Sequence, residues 1–272
     1  MRLSQQTFWK MTGSGNDFVF FDTRSLPSGG LETAEAIGAL CDRRRGVGAD
    51  GVVFLENDPE HRYGMRYFNR DGSLAEFCGN ASLCSVTLAA ELGIVEPGES
   101  FSFRTSSGPI PGRFGPRGPE VGMPAVLDAD PAFETPLAAG ERRIGFARVG
   151  VPHLVVACAD VEEVDVEGRG RALRSLPSLR AGANVNFVSR RGPDWTYRTY
   201  ERGVEEETLA CGSGSVATAA MLMTWDGESG PLRLITRSGA PLTVTFENGM
   251  PTLSGEGRLV FEGRLRDLSP LL

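Results

Sequence analysis

The second half of this chain repeats the landmarks of the first half in the same order and at nearly the same spacing. Successive landmarks lie 33, 30 and 27 residues apart in the first half and 32, 29 and 25 residues apart in the second. Such self-similarity indicates a duplicated folding unit and constrains the fold more strongly than local propensity does. The paired landmarks are Gly15 and Gly150, Gly48 and Gly182, Cys78 and Cys211, and Thr105 and Thr236.

The repeat predicts two pseudosymmetric domains, and a chain of 272 residues is long enough to form them. We place the crossover in segment 112–124, which is rich in Gly and Pro, because these residues interrupt regular structure. The first domain then comprises residues 1–118 together with the C-terminal segment 264–272, and the second comprises residues 119–263.

Each half contains one segment that is apolar on nearly every face of a helix. Residues 216–225 contain no Pro, Gly or charged residue, and residues 83–92 form another apolar, helix-like run, which stops at Gly93. A helix without a polar face is buried, so a sheet must surround it. The sequence predicts an α+β fold in which each domain is a mixed, barrel-like sheet wrapped around a central helix. It also predicts a helix at 33–44 and strands at 52–55, 63–69 and 101–105.

A cysteine precedes each central helix: Cys78 stands before Gly79 and Asn80, and Cys211 before Gly212 and Ser213. The first backbone N–H groups of a helix have no partner inside it and carry partial positive charge. They can bind a carboxylate or phosphate oxygen, and the same field favours the thiolate form of a cysteine. The alternative is a buried structural cysteine beside a tight turn.

Composition narrows the class of protein. The net charge of -7 disfavours nucleic acid and anionic membranes as partners. Five cysteines without a CxxC pair argue against a disulfide framework, so we expect a cytoplasmic protein. The two histidines have no zinc-ligand spacing and no lysine marks a pyridoxal phosphate site, so we expect neither metal nor cofactor. No signal peptide or long apolar segment is visible.

Two thiols at two helix starts suit the inversion of a stereocentre beside a carboxylate. We expect a pseudo-twofold axis to bring both helix N-termini to one cleft, with Cys78 and Cys211 on opposite sides of the α-carbon. One thiolate removes the α-proton, and the opposite thiol supplies a proton to the other face. Because this proton is weakly acidic, preorganised backbone dipoles must stabilise the developing charge in a site closed to water.

Eight short motifs carry a resemblance that covers nearly the whole chain. They are Gly15-Asn-Asp-Phe, Gly46-Val-Gly-Ala-Asp, Phe68-Asn-Arg-Asp-Gly-Ser, Cys78-Gly-Asn, Pro152-His153, Asn184-Val-Asn-Phe, Glu201-Arg202-Gly and Ala210-Cys-Gly-Ser-Gly. In this order, they resemble the diaminopimelate epimerase family. The resemblance implies two pseudosymmetric domains and cofactor-independent interconversion of LL- and meso-diaminopimelate by two cysteines, in lysine and peptidoglycan precursor synthesis.

The resemblance also implies roles for individual residues. Cys78 and Cys211 would be the acid/base pair, and His153 and Glu201 would support the thiols or the substrate ammonium group. The remaining substrate contacts would come from Asn16, Asn69, Asn184, Glu201 and Arg202, with Gly79, Asn80, Gly212 and Ser213 on the reacting carboxylate and Arg202 on the distal one.

Several of these residues also have ordinary structural explanations. A His after Pro is often a structural hydrogen bonder, Asn before a turn is usually turn chemistry, and Glu201-Arg202 could be a surface ion pair. The chain departs from the family pattern in four places, two of which are single positions. Val151 stands where many members have Asn, and Gly51 stands where many have Gln, which bears on substrate choice.

Two other functions stay open at this point. The first is a racemase of another amino acid, such as histidine, with the same two-thiol chemistry. The second is a thiol redox or thiol-based binding protein in which Cys78 and Cys211 form a regulated disulfide. Exchange of solvent deuterium into an amino-acid α-carbon separates the two classes. The expected partners are a small dicarboxylic diamino acid and a second copy of the chain in a homodimer.

Overall fold

The computed structural model describes residues 6–75 and 77–266, and it divides the chain into two compact units. Unit 1 runs up to Val121 and resumes at Glu256, and unit 2 is Gly122–Gly255. Of the segment 264–272 that we predict to join the first domain, residues 267–272 lie outside the described residues, as do residues 1–5.

The described residues form seventeen strands and four α-helices. The helices are α1 (Ala34–Cys41), α2 (Gly79–Glu91), α3 (Val166–Arg174) and α4 (Gly212–Asp226). The strands are β1 (Thr7–Gly13), β2 (Asn16–Asp22), β3 (Gly51–Glu56), β4 (Gly64–Asn69), β5 (Ser100–Thr105), β6 (Gly108–Gly115), β7 (Gly118–Gly122), β8 (Val126–Asp130), β9 (Glu141–Val149), β10 (Val151–Cys158), β11 (Asn184–Arg191), β12 (Asp194–Glu201), β13 (Glu206–Thr208), β14 (Leu232–Ile235), β15 (Pro241–Glu247), β16 (Met250–Gly255) and β17 (Arg258–Arg264).

The two units use the same sequence of strand pairings. In unit 1, β17 pairs with β1, and the sheet continues in order from β1 to β7 with parallel pairing only at β2/β3 and β4/β5. In unit 2, β8 pairs with β9, and the order is β9, β10, β11, β12, β14, β15, β16, with parallel pairing only at β10/β11 and β12/β14. The matching order confirms the duplication and the α+β fold.

The predicted central helices are α2 and α4, and both are buried as expected. In unit 1, α2 contacts β1, β6 and β17; in unit 2, α4 contacts β8, β9, β10, β11, β15 and β16. Small side chains allow the strands to approach closely. A Cβ atom at Gly13 of β1 would lie only 3.0 Å from the Asn80 carbonyl oxygen and the Cys84 Sγ. Each helix is followed by a glycine in the left-handed region, Gly93 (φ 64°) and Gly227 (φ 65°).

A second helix packs outside the sheet in each unit. Thr33 caps α1 by accepting the Ala36 N–H at 3.2 Å. The predicted helix 33–44 stops early, at Cys41, because Asp42 takes an extended backbone and accepts the N–H groups of Arg44 and Arg45. Beneath α1 lies an apolar cluster that includes Phe21, Ile37, Leu40, Val52 and Phe54.

The outer helix of unit 2, α3, is not evident from the sequence. Its segment contains Gly168 and Gly170, and glycine disfavours helix. Tertiary packing explains one of them, because a Cβ at Gly170 would lie 2.5 Å from the Cβ of Tyr200 on β12.

Within residues 6–75 and 77–266, no helix combines the length and apolar character needed to cross a membrane.

Candidate active site

Cys78 is the residue from which α2 starts, in unit 1. Its backbone is extended (φ −142°, ψ 113°), and its carbonyl oxygen accepts the Ser82 N–H at 2.9 Å. Its side chain makes no capping hydrogen bond to the helix. The Cys78 side chain is half-buried and lines a small pocket with Met65, Tyr67, Ala75, Phe77, Ser82, Thr105 and Ser106.

Two predicted binding residues meet at this helix start. The Asn80 Nδ2 donates to the Asn16 Oδ1 at 2.7 Å, and the Asn16 Nδ2 donates to the Asp50 Oδ2 at 3.1 Å. Asn16 enters β2 after a left-handed turn at Ser14 (φ 52°) and Gly15 (φ 97°). The turn thus delivers a side chain from β2 to the second residue of α2.

Asn69 is engaged in a local turn at the end of β4. Its Nδ2 donates to the Ser73 Oγ at 3.0 Å, and its backbone N–H donates to the Ser73 carbonyl oxygen at 2.9 Å. These bonds match the ordinary turn explanation for an asparagine in an Asn-Arg-Asp-Gly sequence. The structure shows no hydrogen bond from the Asn69 side chain to Asn16, Asn80 or Cys78 among the residues it describes.

The glycine at position 51 is required by packing. It pairs with Asn69 across β3 and β4. A Cβ at this position would lie 2.4 Å from both the Phe68 carbonyl oxygen and the Tyr67 Cε2. The Tyr67 ring, which also packs edge-on against Phe18 at 5.7 Å, occupies the volume that a side chain at position 51 would need.

Cys211 starts α4 in unit 2 with nearly the same backbone as Cys78 (φ −130°, ψ 114°). It is buried, with 7% of its surface exposed. The Tyr197 hydroxyl accepts the Cys211 N–H at 2.9 Å and donates to the Cys211 carbonyl oxygen at 2.8 Å. The Ser215 Oγ donates to the same carbonyl at 3.0 Å, and the Cys211 Sγ lies 3.6 Å from the Ser213 Oγ.

Glu201 at the end of β12 is hydrogen-bonded to the side chains of both Cys211 and Thr208. The Thr208 Oγ1 donates to the Glu201 Oε1 at 2.5 Å. Burial raises the pKa of the Glu201 carboxyl, and the hydrogen bonds from Thr208 and Cys211 only partly oppose this effect. A carboxyl whose pKa is raised in this way can exchange a proton with the adjacent thiol.

His153 on β10 is fully buried, and its protonation state follows from its neighbours. The Asn186 Nδ2 donates to the Leu154 carbonyl oxygen at 2.9 Å and lies 3.3 Å from the His153 Nδ1. The Asn186 Oδ1 accepts from Thr199 at 3.0 Å. Because a carbonyl can only accept, these bonds orient the amide, and the His153 Nδ1 must be an acceptor.

The neutral ring therefore carries its proton on Nε2. Burial, with the nearby positive charge of Arg202, lowers the pKa of His153 to about 3. The His153 Nε2 is buried and has no hydrogen-bond partner among the residues that the structure describes. A buried N–H of this kind is suited to an anionic partner, such as a thiolate or carboxylate, and not to an ammonium group, which is itself a donor.

Asn184 and Arg202 are hydrogen-bonded to each other. The Arg202 N–H donates to the Asn184 Oδ1 at 2.8 Å, and the Arg202 Nη1 donates to the Ala181 carbonyl oxygen at 2.7 Å. Asn184 lies opposite His153 in the parallel pairing of β10 and β11. Arg202 is half-buried and forms no ion pair with any described carboxylate, so its charge is available to an anionic ligand.

Three residues that support these groups escaped the sequence analysis. Asp50 and Asn186 lie inside motifs that we identified, but nothing local shows which side chains they bind. Tyr197 is a buried strand residue, and a buried tyrosine is usually explained by packing. Gly214 carried a usable signal: a Cβ there would lie 2.2 Å from the Asn186 Oδ1, so the small residue after Ser213 reflects this contact.

The predicted site residues therefore fall into two groups, each inside one unit. In unit 1, Asn16 and Asn80 meet at the α2 start beside Cys78, and Asn69 is tied to its own turn. Among the described residues, no group of three or more His, Cys, Asp or Glu side chains is arranged to hold a metal ion. In unit 2 the residues are Cys211, Ser213 and Glu201 at the α4 start, His153 on β10, Asn184 on β11, and Arg202 directly after β12.

The fold is shared with solved structures of low sequence identity. A Bacillus anthracis phenazine biosynthesis protein of the PhzF family superimposes with a TM-score of 0.75 at 15% identity, covering 96% of this chain and 99% of that one. A probable proline racemase from Agrobacterium radiobacter superimposes with a TM-score of 0.70 at 16% identity, covering 97% and 94%. These likenesses define the fold class.

Sequence comparison then narrows the class to one family. The family model "Diaminopimelate epimerase" matches residues 8–123 and 145–260. The diaminopimelate epimerase of Gemmatimonas aurantiaca is 46% identical over 281 residues, covering 96% of this chain and all of that protein. That of Aquifex aeolicus is 40% identical over 274 residues, covering 96% and 98%. This chain belongs to the diaminopimelate epimerase family.

Proposed function

We propose that the protein catalyses the cofactor-independent epimerisation of LL-diaminopimelate to meso-diaminopimelate with two cysteines. The observation that carries the proposal is the equivalence of Cys78 and Cys211. Each starts the central helix of its unit, with φ and ψ that differ by only 12° and 1° between them, and each precedes a Gly and a small polar residue. A two-base inversion needs two such groups.

The relatives support the choice of substrate. Two proteins named diaminopimelate epimerase share 46% and 40% identity with this chain over nearly the full length of both partners. Family membership places the chain among isomerases, and the lysine and peptidoglycan precursor pathway is where this substrate is used.

In the proposed mechanism, one thiolate takes the α-proton and the electron pair of the broken C–H bond passes into the adjacent carboxylate. The second thiol delivers its proton to the opposite face, which forms the new C–H bond and leaves that sulfur as thiolate. One proton is taken up and one is released, so no oxidant, reductant or cofactor is consumed. The two sulfurs exchange protonation states in each turnover.

The first turns of α2 and α4 supply the stabilisation that the carbanion needs. We assign the reacting carboxylate to backbone N–H groups of Gly79, Asn80, Gly212 and Ser213, because helix N-termini stabilise negative charge. Such preorganised donors are strongest in a site from which water is excluded.

Neighbouring groups adjust the proton transfer. Glu201, hydrogen-bonded to Cys211, is placed to receive the thiol proton. His153 is neutral, and its Nε2–H donor is proposed to stabilise a thiolate. Because Asn186 donates to the His153 Nδ1, the Nε2 carries the proton, and this donor cannot bind the substrate ammonium group, which is also a donor.

The distal head of the substrate is assigned to Arg202. The guanidinium is half-buried and not neutralised by any described carboxylate, and its planar fork suits a carboxylate. Asn184 holds the backbone at Arg202 and is proposed to contact the substrate, as are Asn16, Asn69 and Glu201.

The test is incubation of the purified protein in D₂O with single stereoisomers of diaminopimelate, alanine, lysine and histidine, without added cofactor. Inversion and α-deuterium incorporation are followed together by NMR and chiral chromatography. The proposal predicts both for diaminopimelate and far less for the monocarboxylates. Efficient racemisation of histidine would favour another racemase, and no exchange with any amino acid would favour a thiol redox protein.

We also propose that the enzyme works in the cytoplasm as a homodimer. All five cysteines lie in the described part of the chain, and each is a thiol, not half of a disulfide, which suits a reducing compartment. On β17, Val260 and Phe261 are about half exposed (46% and 47%), and apolar surface of this kind favours self-association. Analytical ultracentrifugation of the protein and of Phe261→Asp tests the dimer, and cell fractionation tests the location.

A further inference from the structure

The only lysine of the chain is buried inside unit 1. The Lys10 ammonium group donates to the Asp17 Oδ2 at 2.6 Å and to the Gly48 carbonyl oxygen. A buried ammonium is costly unless it is paired and hydrogen-bonded. The mechanism proposed above does not use Lys10, so the pairing needs another explanation.

Asp17 and Asp50 are joined by an arginine. The Arg43 Nη1 and Nη2 bind the Asp17 Oδ2 and Oδ1 at 2.9 and 2.7 Å, in a bidentate pair, and the same Nη2 donates to the Asp50 Oδ1 at 2.7 Å. The backbones are also locked together, because the Asp17 N–H donates to the Asp50 Oδ2 and the Asp50 N–H to the Asp17 Oδ1, both at 3.2 Å. Two cations and two carboxylates thus form a neutral network.

The network is hydrogen-bonded, through Asp50, to Asn16 of the candidate site. The second oxygen of Asp50, Oδ2, accepts from the Asn16 Nδ2 at 3.1 Å. Because a carboxylate can only accept, this bond fixes which end of the Asn16 amide is the NH₂ group. The Asn16 Oδ1 must then face the Asn80 Nδ2, which is found at 2.7 Å.

The charges around Asp17 keep the network ionised. Burial raises the pKa of Asp17, but hydrogen bonds and charge from Arg43 and Lys10 outweigh it and lower the value to about 2. Asp17 therefore holds the Arg43 guanidinium at neutral pH, and Arg43 in turn holds one oxygen of Asp50. The side chain of Arg43 is 58% exposed and that of Asp50 is 35% exposed, so the network reaches the surface of unit 1.

We propose that Asp50 is a positioning residue, held by the Lys10–Asp17–Arg43 network, which sets the Asn16 amide so that Asn16 and Asn80 are preorganised at the start of α2. The inference rests on the proposed function, in which these two asparagines contact the substrate and the reacting carboxylate. Asp50 itself does not contact the substrate in this proposal, and it acts on catalysis only through Asn16.

Substitution of Asp50 by Asn breaks the arrangement without changing its size. An amide offers one acceptor oxygen in place of two, so either Arg43 or the Asn16 Nδ2 must face an NH₂ group. A displaced contact group can cost about a hundredfold in rate. We expect Asp50→Asn to lower kcat/KM for diaminopimelate by about 10- to 100-fold.

The decisive measurement is a double-mutant cycle on kcat/KM with Asp50→Asn, Asn16→Ala and the double variant. If Asp50 acts through Asn16, the Asp50 substitution has no further effect once Asn16 is Ala, so the two losses are strongly non-additive. A purely structural role predicts additive losses, and additive losses overturn the inference. Should Asp50→Asn fold poorly by thermal melting, Arg43→Gln replaces it in the same cycle with the same criterion.

Asp42→Asn is the matched control. Asp42 lies in the same segment, binds an arginine (Arg45) and has a similarly exposed side chain (29%), but it has no bond to Asn16. We expect wild-type kcat/KM for this variant, and a loss equal to that of Asp50→Asn overturns the inference.

A second readout is independent of turnover. The Asn16 side-chain NH₂ signal should shift in the NMR spectrum of Asp50→Asn and stay in place in Asp42→Asn. If the wild type lacks epimerase activity, the proposed function fails, while an unchanged Asn16 signal in Asp50→Asn would by itself refute the positioning role.

Discussion

The starts of α2 and α4 have the same backbone but opposite kinds of support. At α2, the support of Asn80 passes through Asn16 and Asp50 to an ionised network that reaches solvent at Arg43. At α4, the support of Cys211 comes from the neutral hydroxyls of Tyr197 and Ser215. The two copies of the helix start share one backbone conformation but are held by different groups, ions at α2 and neutral hydroxyls at α4.

Burial explains the difference. Cys211 is 7% exposed, and neutral hydroxyls hold its backbone without the large desolvation cost of an ion pair. The carboxyl beside it, Glu201, is also buried, which raises its pKa and disfavours its charged form. Cys78 is half-buried, and the ionised network behind Asn16 and Asn80 ends at an exposed arginine, Arg43. The same helix start can thus be positioned by charge where water is near and by uncharged groups where it is not.

Two buried tyrosines, at similar distances before the two cysteines, bind different parts of the central helices. Tyr197 lies 14 residues before Cys211, and its hydroxyl binds the backbone of that cysteine. Tyr63 lies 15 residues before Cys78, but its hydroxyl binds the Ser85 Oγ at 3.0 Å, further along α2. Of the two tyrosines, Tyr197 binds the backbone of the cysteine that follows it, and Tyr63 binds a serine inside the helix.

The largest effect is expected at the cysteines themselves. Because a two-base inversion requires both thiols, Cys78→Ala and Cys211→Ala should each reduce epimerisation by a factor of about 10³ or more, despite their different surroundings. Chiral chromatography of the product measures the loss. The Ser variants should also be nearly inactive, since a hydroxyl is a far poorer base near neutral pH. Substantial turnover by either Ala variant contradicts the equivalence of the two helix starts.

Removal of Arg202, which we propose to bind the distal carboxylate, should have the next largest effect. Arg202→Met should lower kcat/KM for diaminopimelate by roughly 30- to 5,000-fold, as expected for about 2–5 kcal/mol from a broken charge pair. The control is Arg180→Met, at an exposed arginine of the same unit. Equal kcat/KM for the Arg202 and Arg180 variants would place the substrate's second carboxylate elsewhere.

The neutral state of His153 can be tested by varying the pH. Because the pKa of His153 is lowered to about 3 in the folded protein, the unfolded state takes up a proton first as pH falls through 6.5. The contribution of His153 to the free energy of unfolding should therefore be at its full value above pH 6.5. It should decrease by about 1.4 kcal/mol for each pH unit below 6.5, down to about pH 3.

His153→Gln should flatten this dependence, which denaturant titrations between pH 7 and 4.5 would reveal. His61→Gln, at the other histidine of the chain, is the control and should retain the wild-type slope. Parallel curves for wild type and His153→Gln would show that His153 is not held neutral by burial.

The smallest effect concerns the tyrosine pair. Tyr197→Phe leaves the buried Cys211 N–H without its partner, which should cost about 1–3 kcal/mol of unfolding free energy and lower kcat. Tyr63→Phe leaves Ser85 bonded to the Ser82 carbonyl oxygen, so about 0.5–1 kcal/mol and little change in kcat are expected. Urea denaturation and kinetics on both variants measure these changes, and a larger loss of kcat in Tyr63→Phe would reverse the assignment.

Much of the architecture could be predicted from local sequence. The repeat of landmarks and the two largely apolar segments, 83–92 and 216–225, are enough to predict two units with a central helix, because both patterns can be read along the chain. The outer helix α3 could not be predicted, because its Gly170 is explained only by the Tyr200 side chain that packs on it.

The candidate site likewise has one part that the sequence predicts and one part that it does not. The sequence by itself determined that a cysteine stands at the start of each central helix, since the residue before a helix and the helix dipole are local properties. Only the tertiary structure decided what holds those cysteines and their neighbours. Asp50 is 34 residues from Asn16, Asn186 is 33 from His153 and Tyr197 is 14 from Cys211. A hydrogen bond depends on distances of about 3 Å between atoms, and strand pairing brings such residues together without leaving a pattern in the order of the chain.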